Sequence, residues 1–205
     1  MISGSSLVAL VQALLVIAAA PLLLGWVDQC RAWLQNRSGA GVLQPYRTLR
    51  KLLHKDAVVA HNASSLFRAS PYVQFGAMAL AATIIPVLSS RPLLATSADT
   101  IALVGLFAVA RVFAALAGMD IGTAFGSLGA RREMLVGFLS EPALLMVFFT
   151  ASLLSQSTLL PTIVEVLAQR ELAIYPSLAF AGVAFVMVLL AENARIPIDN
   201  PSTHL

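Results

Sequence analysis

Five apolar runs of membrane-spanning length, Leu7–Val27, Tyr72–Leu88, Thr100–Gly118, Glu141–Ser155 (entered from about Met134) and Tyr175–Glu192, restrict what this chain can fold into. About 20 apolar residues in a helix cross roughly 30 Å of hydrocarbon. A helix satisfies its own backbone in lipid and an open strand does not. The expectation is an all-α, polytopic membrane helix bundle with about five transmembrane helices, residues 1–205 forming a single membrane domain. Composition agrees: 59% of residues are hydrophobic and 11% charged, whereas a soluble domain carries roughly 25% charged residues. The first run reads as a retained helix. No Lys or Arg precedes it, and Pro21 directly follows the cleavage-like Ala18-Ala19-Ala20.

The cations are unevenly placed. Seven of the thirteen (Arg31, Arg37, Arg47, Arg50, Lys51, Lys55 and Arg68) lie between the first two runs, against Asp28 and Asp56. By the positive-inside rule that loop is cytoplasmic. The loop with Arg91 and Asp99 then lies outside, and Met119–Glu133, with Arg131 and Arg132, lies inside. Pro161–Ile174 lies outside, so Met1 is outside and Leu205 cytoplasmic. Between Tyr46 and Val59, Leu49, Leu52 and Leu53 recur at helical spacing among Arg47, Arg50, Lys51 and Lys55. That pattern predicts a basic amphipathic helix at the interface, serving either to anchor on anionic lipid or to dock a peripheral subunit. Flanking membrane-length runs argue against a nucleic-acid surface.

Charges inside oily runs direct attention to function, because one ionised group at a span centre costs about 2.5–3.5 kcal/mol on insertion scales. Arg111 lies mid-span and cannot deprotonate, so it needs an acidic or carbonyl partner; Glu141 and Glu192 are both candidates. Glu133 and Glu141 stand eight residues apart, ~80° in azimuth and ~12 Å along a helix. That spacing suits a stepwise proton relay, and equally allows static pairing of Glu133 with Arg131 or Arg132 and of Glu141 with Arg111. Glu192 and Arg195 share a helix face, with Asp199 just beyond Pro197. Lone Cys30 holds no iron–sulfur cluster, and His54, His61 and His204 lie outside the apolar runs, away from any haem between helices. Redox chemistry therefore belongs to partners.

The glycines divide into two sets. Gly39 and Gly41 have no preceding strand and no third glycine at dinucleotide-binding spacing, so they serve a tight turn. Gly118, Gly122 and Gly126 recur every fourth residue as in close helix contact, yet Asp120 and Gly129 favour a glycine-rich loop there. Pro142 is expected near the start of the fourth span.

Four stretches, in order, resemble the complex I subunit 1 family, found in NADH:quinone oxidoreductase and in energy-converting [NiFe] hydrogenases including formate hydrogenlyase. They are Asn36–Gln44 through Lys51-Leu52-Leu53, Gly118-Met119-Asp120-Ile121-Gly122, Gly129–Glu133 to Glu141-Pro142, and Ala191-Glu192-Asn193 to Asp199-Asn200-Pro201. Ser38 and Ala40 depart from the usual Asn-Arg-Arg-Gly-Pro-Gly. Asn200, Ser202 and His204 replace the acid-rich run of the quinone-reducing branch, which favours the hydrogenase branch. Relatives continue through about three further helices, so a C-terminally shortened chain is expected. The resemblance implies a membrane anchor and proton-coupling subunit in a bacterial or archaeal inner membrane. Glu133, Glu141, Glu192, Asp199, Arg111, Asp120 and Arg195 would handle charge. Arg37, Gly39, Gly41, Gln44, Arg47, Arg131 and Arg132 would meet the peripheral arm. It also implies hydrogenase-like small and large subunits and antiporter-like membrane subunits as partners, with the [NiFe] centre and iron–sulfur clusters in those partners and no cofactor in this chain. Competing expectations are a quinone-site subunit, a stand-alone transporter or channel, and a purely structural anchor.

Overall fold

The computed structural model describes residues 4–87, 99–169 and 175–193. The described residues form seven helices: α1 (Gly4–Leu34), α2 (Gln44–Leu53), α3 (Ser65–Ile84), α4 (Thr100–Asp120), α5 (Ala124–Ser155), α6 (Leu160–Gln169) and α7 (Pro176–Glu192). They contain no strand beyond one isolated bridge, Asp99 to Leu159. The all-α membrane bundle expected from the apolar runs is what forms. α4, α5 and residues Leu10–Leu34 of α1 are long and apolar enough to cross a membrane. α3 and the 17-residue α7 fall on the remaining two runs. Side chains such as Phe138 (79% exposed), Phe180 (76%) and Leu153 (73%) line the outer surface. Apolar exposure on this scale marks a surface that lies against lipid or another protein.

Contacts divide the chain into residues Met1–Ala60 and His61–Leu205. In the first, α1 ends where Asn36 adopts a left-handed backbone (φ 54°) and Arg37 N–H closes on the Ala32 carbonyl at 2.9 Å. The following loop folds back on the same helix. Gly25 lies so close to the Val42 carbonyl that a Cβ would collide with it, and a Cβ on Gly39 would strike Gln29. Gln29 Oε1 accepts the Gly41 N–H at 3.2 Å. Gly41 itself sits at φ 92°, a conformation glycine adopts without steric cost. The turn function expected of Gly39 and Gly41 is therefore observed. α2 follows as the anticipated amphipathic helix, shorter than the expected stretch to Val59, and buries none of its residues.

In the second unit α3 lies against α4, α4 against α5, and α5 against α7. Ala81, Ile84 and Leu103 form one core cluster; Val104, Leu144 and Val188 form another. Phe107 and Phe148 pack on both, joining them into one apolar interior. The start of α4 is fixed twice: Asp99 caps it through the Ile101 N–H, and Thr100 N–H reaches the Thr158 carbonyl at 3.1 Å.

Several boundaries differ from expectation. α3 begins at Ser65, before Pro71 rather than after it, because the Ser64 hydroxyl caps the Leu66 N–H. Residues 161–169, expected within a loop, belong to α6. The glycine-rich loop expected across 119–133 shrinks to a turn at 121–123, with Gly122 at φ 73°. Thr123 caps α5, whose one continuous helix runs 32 residues, so Pro142 stands deep inside it. Gly118 and Gly126 face each other across that turn, and a Cβ on Gly126 would lie 2.6 Å from the Gly118 carbonyl oxygen. Close helix contact, the alternative for this glycine series, applies to that pair.

Candidate functional site

The site is built from α4, α5 and α7, each contributing residues that face the interior of the second unit. Arg111 comes from the middle of α4 and is 10% exposed. Its guanidinium meets three carboxylates. Nε lies 3.4 Å from Glu133 Oε1, Nη1 lies 3.4 Å from Glu141 Oε1, and Nη2 donates to Glu192 Oε2. The question left open by sequence, whether Glu141 or Glu192 pairs with Arg111, resolves as both together with Glu133. A planar guanidinium has five donors arranged as a fork, which lets one side chain serve several acceptors.

Ser140 completes the arrangement. Arg111 Nη1 donates to Ser140 Oγ at 2.9 Å, and that hydroxyl donates to Glu192 Oε1 at 2.7 Å. A continuous hydrogen-bonded path thus links α4, α5 and α7. Gly137, one turn before Glu141, makes room: a Cβ there would lie 2.5 Å from Arg111 Cδ and 2.8 Å from Nη1. Pro142 has no N–H to give the Phe138 carbonyl one turn earlier, so the α5 ladder is interrupted beside Ser140 and Glu141.

Exposure grades across the cluster, from 51% at Glu133 to 25% at Glu192 and 24% at Glu141. Arg111, Glu133 and Glu192 also line one end of a cavity of about 580 Å³. Its remaining wall is mostly apolar, with Phe107, Phe148 and Phe185, and Gln74 adds a polar edge. Gln74 is itself tied to buried Ser70 at 2.7 Å, and Ser70 donates to the Phe113 carbonyl at 2.8 Å. One guanidinium facing three carboxylates leaves a formal charge of −2 when all three are ionised.

The other expected residues stand elsewhere. Asp120, grouped with the charge-handling set, accepts the Ser64 N–H and hydroxyl, both at 2.7 Å, and so ties the end of α4 to the start of α3. Asp199 and Arg195 lie outside the described residues. Arg131 and Arg132 are exposed on α5, and Glu133 forms an ion pair with Arg111. In the first unit Arg37 and Arg47 are exposed, Gly39 and Gly41 form the loop held by Gln29, and Gln44 opens α2. Ser140 and Gly137 were not singled out by sequence reasoning. The signal was present: a small and a hydroxyl residue one helical turn or less from an intramembrane acid.

The fold and its ionisable interior define a polytopic membrane protein with a partly buried charge cluster among its helices. The chain belongs to the NADH dehydrogenase family, whose model matches residues 6–204, as the resemblance to complex I subunit 1 anticipated. It is 38% identical over 195 residues to formate hydrogenlyase subunit 4 of Escherichia coli, covering 95% of this chain and 64% of the relative. It is 32% identical over 192 residues to hydrogenase-4 component C of the same organism, covering 93% and 60%. The chain thus spans less than two thirds of either relative. A chain in the structure of the membrane-bound sulfane sulfur reductase, an archaeal respiratory membrane complex, shares the fold with a TM-score of 0.77 at 22% identity. That match covers 90% of this chain and 62% of the other.

Proposed function

We propose that this protein is a membrane anchor and proton-coupling subunit of a multi-subunit, hydrogenase-like oxidoreductase. The names of the two similar bacterial proteins support the hydrogenase side of the family. The observation that carries the coupling role is the cluster of one guanidinium and three carboxylates at the end of a cavity. Glu133, half exposed, exchanges protons with water. Glu141 and Glu192 hold or release them in the field of Arg111, and Ser140 keeps Glu192 aligned. A charge change in a docked redox subunit shifts the balance among the three acids, moving a proton between them. Because the acids share one guanidinium, a change at any of them is felt by the others at contact range.

In this reading the exposed Arg37–Arg47 segment and Arg131 and Arg132 lie on the cytoplasmic side and meet hydrogenase-like small and large subunits. Antiporter-like subunits continue the ion path in the membrane, and the [NiFe] centre and iron–sulfur clusters belong to the partners. Asp199 and Arg195, which follow Glu192 in the sequence, belong to the same charge-handling set in this reading. The test is Glu141→Gln in the intact complex. The expected result is normal assembly with reduced proton-coupled activity; unchanged coupling rejects the relay.

A further inference from the structure

Apart from Arg47, which the proposed function places at the peripheral arm, the coupling role leaves the basic residues of α2 unused. Arg47, Arg50, Lys51 and His54 recur at i, i+3, i+4 and i+7, which confines them to about 100° of the helix circumference. Tyr46, Leu49, Leu52 and Leu53 occupy the opposite face, within about 120°. The four basic side chains line one concavity of about 360 Å³. His54 caps the helix, and its ring is fixed by a 2.7 Å hydrogen bond between Nδ1 and the Arg50 carbonyl. No Asp or Glu occurs between Gln29 and Lys55, so nothing in this segment neutralises them.

The leucines of the apolar face are largely uncovered. Leu49 is 48% exposed, Leu52 56% and Leu53 84%. α2 is nevertheless attached to the membrane-spanning α1, through the Tyr46 hydroxyl on the Ala18 carbonyl and the close approach of Pro45 to Gly25. A helix tied to a spanning helix, with leucines on one side and cations on the other, lies along the hydrocarbon boundary with its charges among headgroups. An anionic phospholipid covers both, with its acyl chains on Leu49, Leu52 and Leu53 and its phosphate among the cations.

We infer that Arg47, Arg50, Lys51 and His54 form a binding site for the phosphate of an anionic phospholipid. Basic residues at a membrane surface each favour anionic lipid by on the order of fivefold, so three together amount to roughly a hundredfold. The experiment reconstitutes the intact complex in phosphatidylcholine nanodiscs containing a minor share of phosphatidylglycerol. The phosphatidylglycerol retained after extraction is then measured by mass spectrometry. Arg47→Gln, Arg50→Gln and Lys51→Gln should each lower retention about fivefold, mild changes at exposed positions that leave the fold intact. Their combination should lower it by roughly a hundredfold, while Arg37→Gln in the same loop leaves it unchanged. High salt, which shortens the screening length from ~10 Å to ~3 Å, should weaken retention in the unsubstituted protein. Retention that is the same in all variants overturns the site. So does a triple variant that keeps its phosphatidylglycerol but loses peripheral subunits, which would assign the patch to protein docking.

Discussion

Gly137→Ala tests whether the Arg111 cluster sits where the structure has it. The new Cβ would lie 2.5 Å from Arg111 Cδ and 2.8 Å from Nη1, against ordinary carbon contacts of about 3.5–4.0 Å. The side chain must therefore retreat by about 1 Å. Nη1 holds Ser140 at 2.9 Å and Glu141 at 3.4 Å, so that retreat breaks both contacts. Overfilling a well-packed interior costs about 1–3 kcal/mol. Replacing a helical glycine by alanine gains about 1 kcal/mol in propensity, which would mask part of the loss. Gly105→Ala supplies the correction, because Gly105 also lies mid-helix and a Cβ there meets nothing within 4 Å. Equilibrium unfolding of both variants in the same detergent should place Gly137→Ala about 1–3 kcal/mol below Gly105→Ala. Equal stability of the two would refute the assigned contact between Gly137 and Arg111.

Arg111→Gln leaves three carboxylates without their cation. Breaking a buried pair from one side costs about 3–5 kcal/mol, and the partial exposure of the acids sets the expectation near 3, read as a lowered unfolding midpoint. Ser64→Ala removes the α3 cap and one bond to Asp120; a cap is worth about 1 kcal/mol, and amide exchange should rise at the first turn of α3. Gly25→Ala should push Val42 away and expose the loop at residues 36–43 to protease, whereas Gly76→Ala, with open space around it, should not. For orientation, a cysteine introduced as Lys55→Cys should resist membrane-impermeant thiol reagents in intact cells and react after lysis; labelling in intact cells would reverse the topology.

Much of the fold was legible because hydrocarbon imposes a length and a polarity on every span. α2 was legible from spacing, since Leu49, Leu52 and Leu53 alternate with cations at helical intervals. The need for a partner at Arg111 was also legible, as a guanidinium cannot discharge itself. The identity of its partners was not. It depends on the mutual rotation of α4, α5 and α7, which apolar periodicity does not specify when each helix is oily all round. Glu133 and Glu141, separated by more than two turns, reach the same guanidinium from opposite ends, an outcome no single-helix spacing argument contains. α5 was expected to start later because Asp120 and Gly129, around the Gly118, Gly122 and Gly126 series, favoured a glycine-rich loop. The Thr123 cap and the contact between Gly118 and Gly126 outweigh that preference. Asp120 was grouped with the charge-handling residues through the family resemblance, and its bonds to Ser64 fasten the end of α4 to the start of α3.

The central claim, that Glu133, Glu141 and Glu192 exchange protons as a redox partner turns over, is tested most directly by infrared difference spectroscopy on the intact complex between its oxidised and reduced states. The account predicts a carboxyl protonation signal that Glu141→Gln or Glu192→Gln removes while the complex remains assembled. A difference spectrum without any carboxyl change, or one that survives substitution of all three acids, would contradict it.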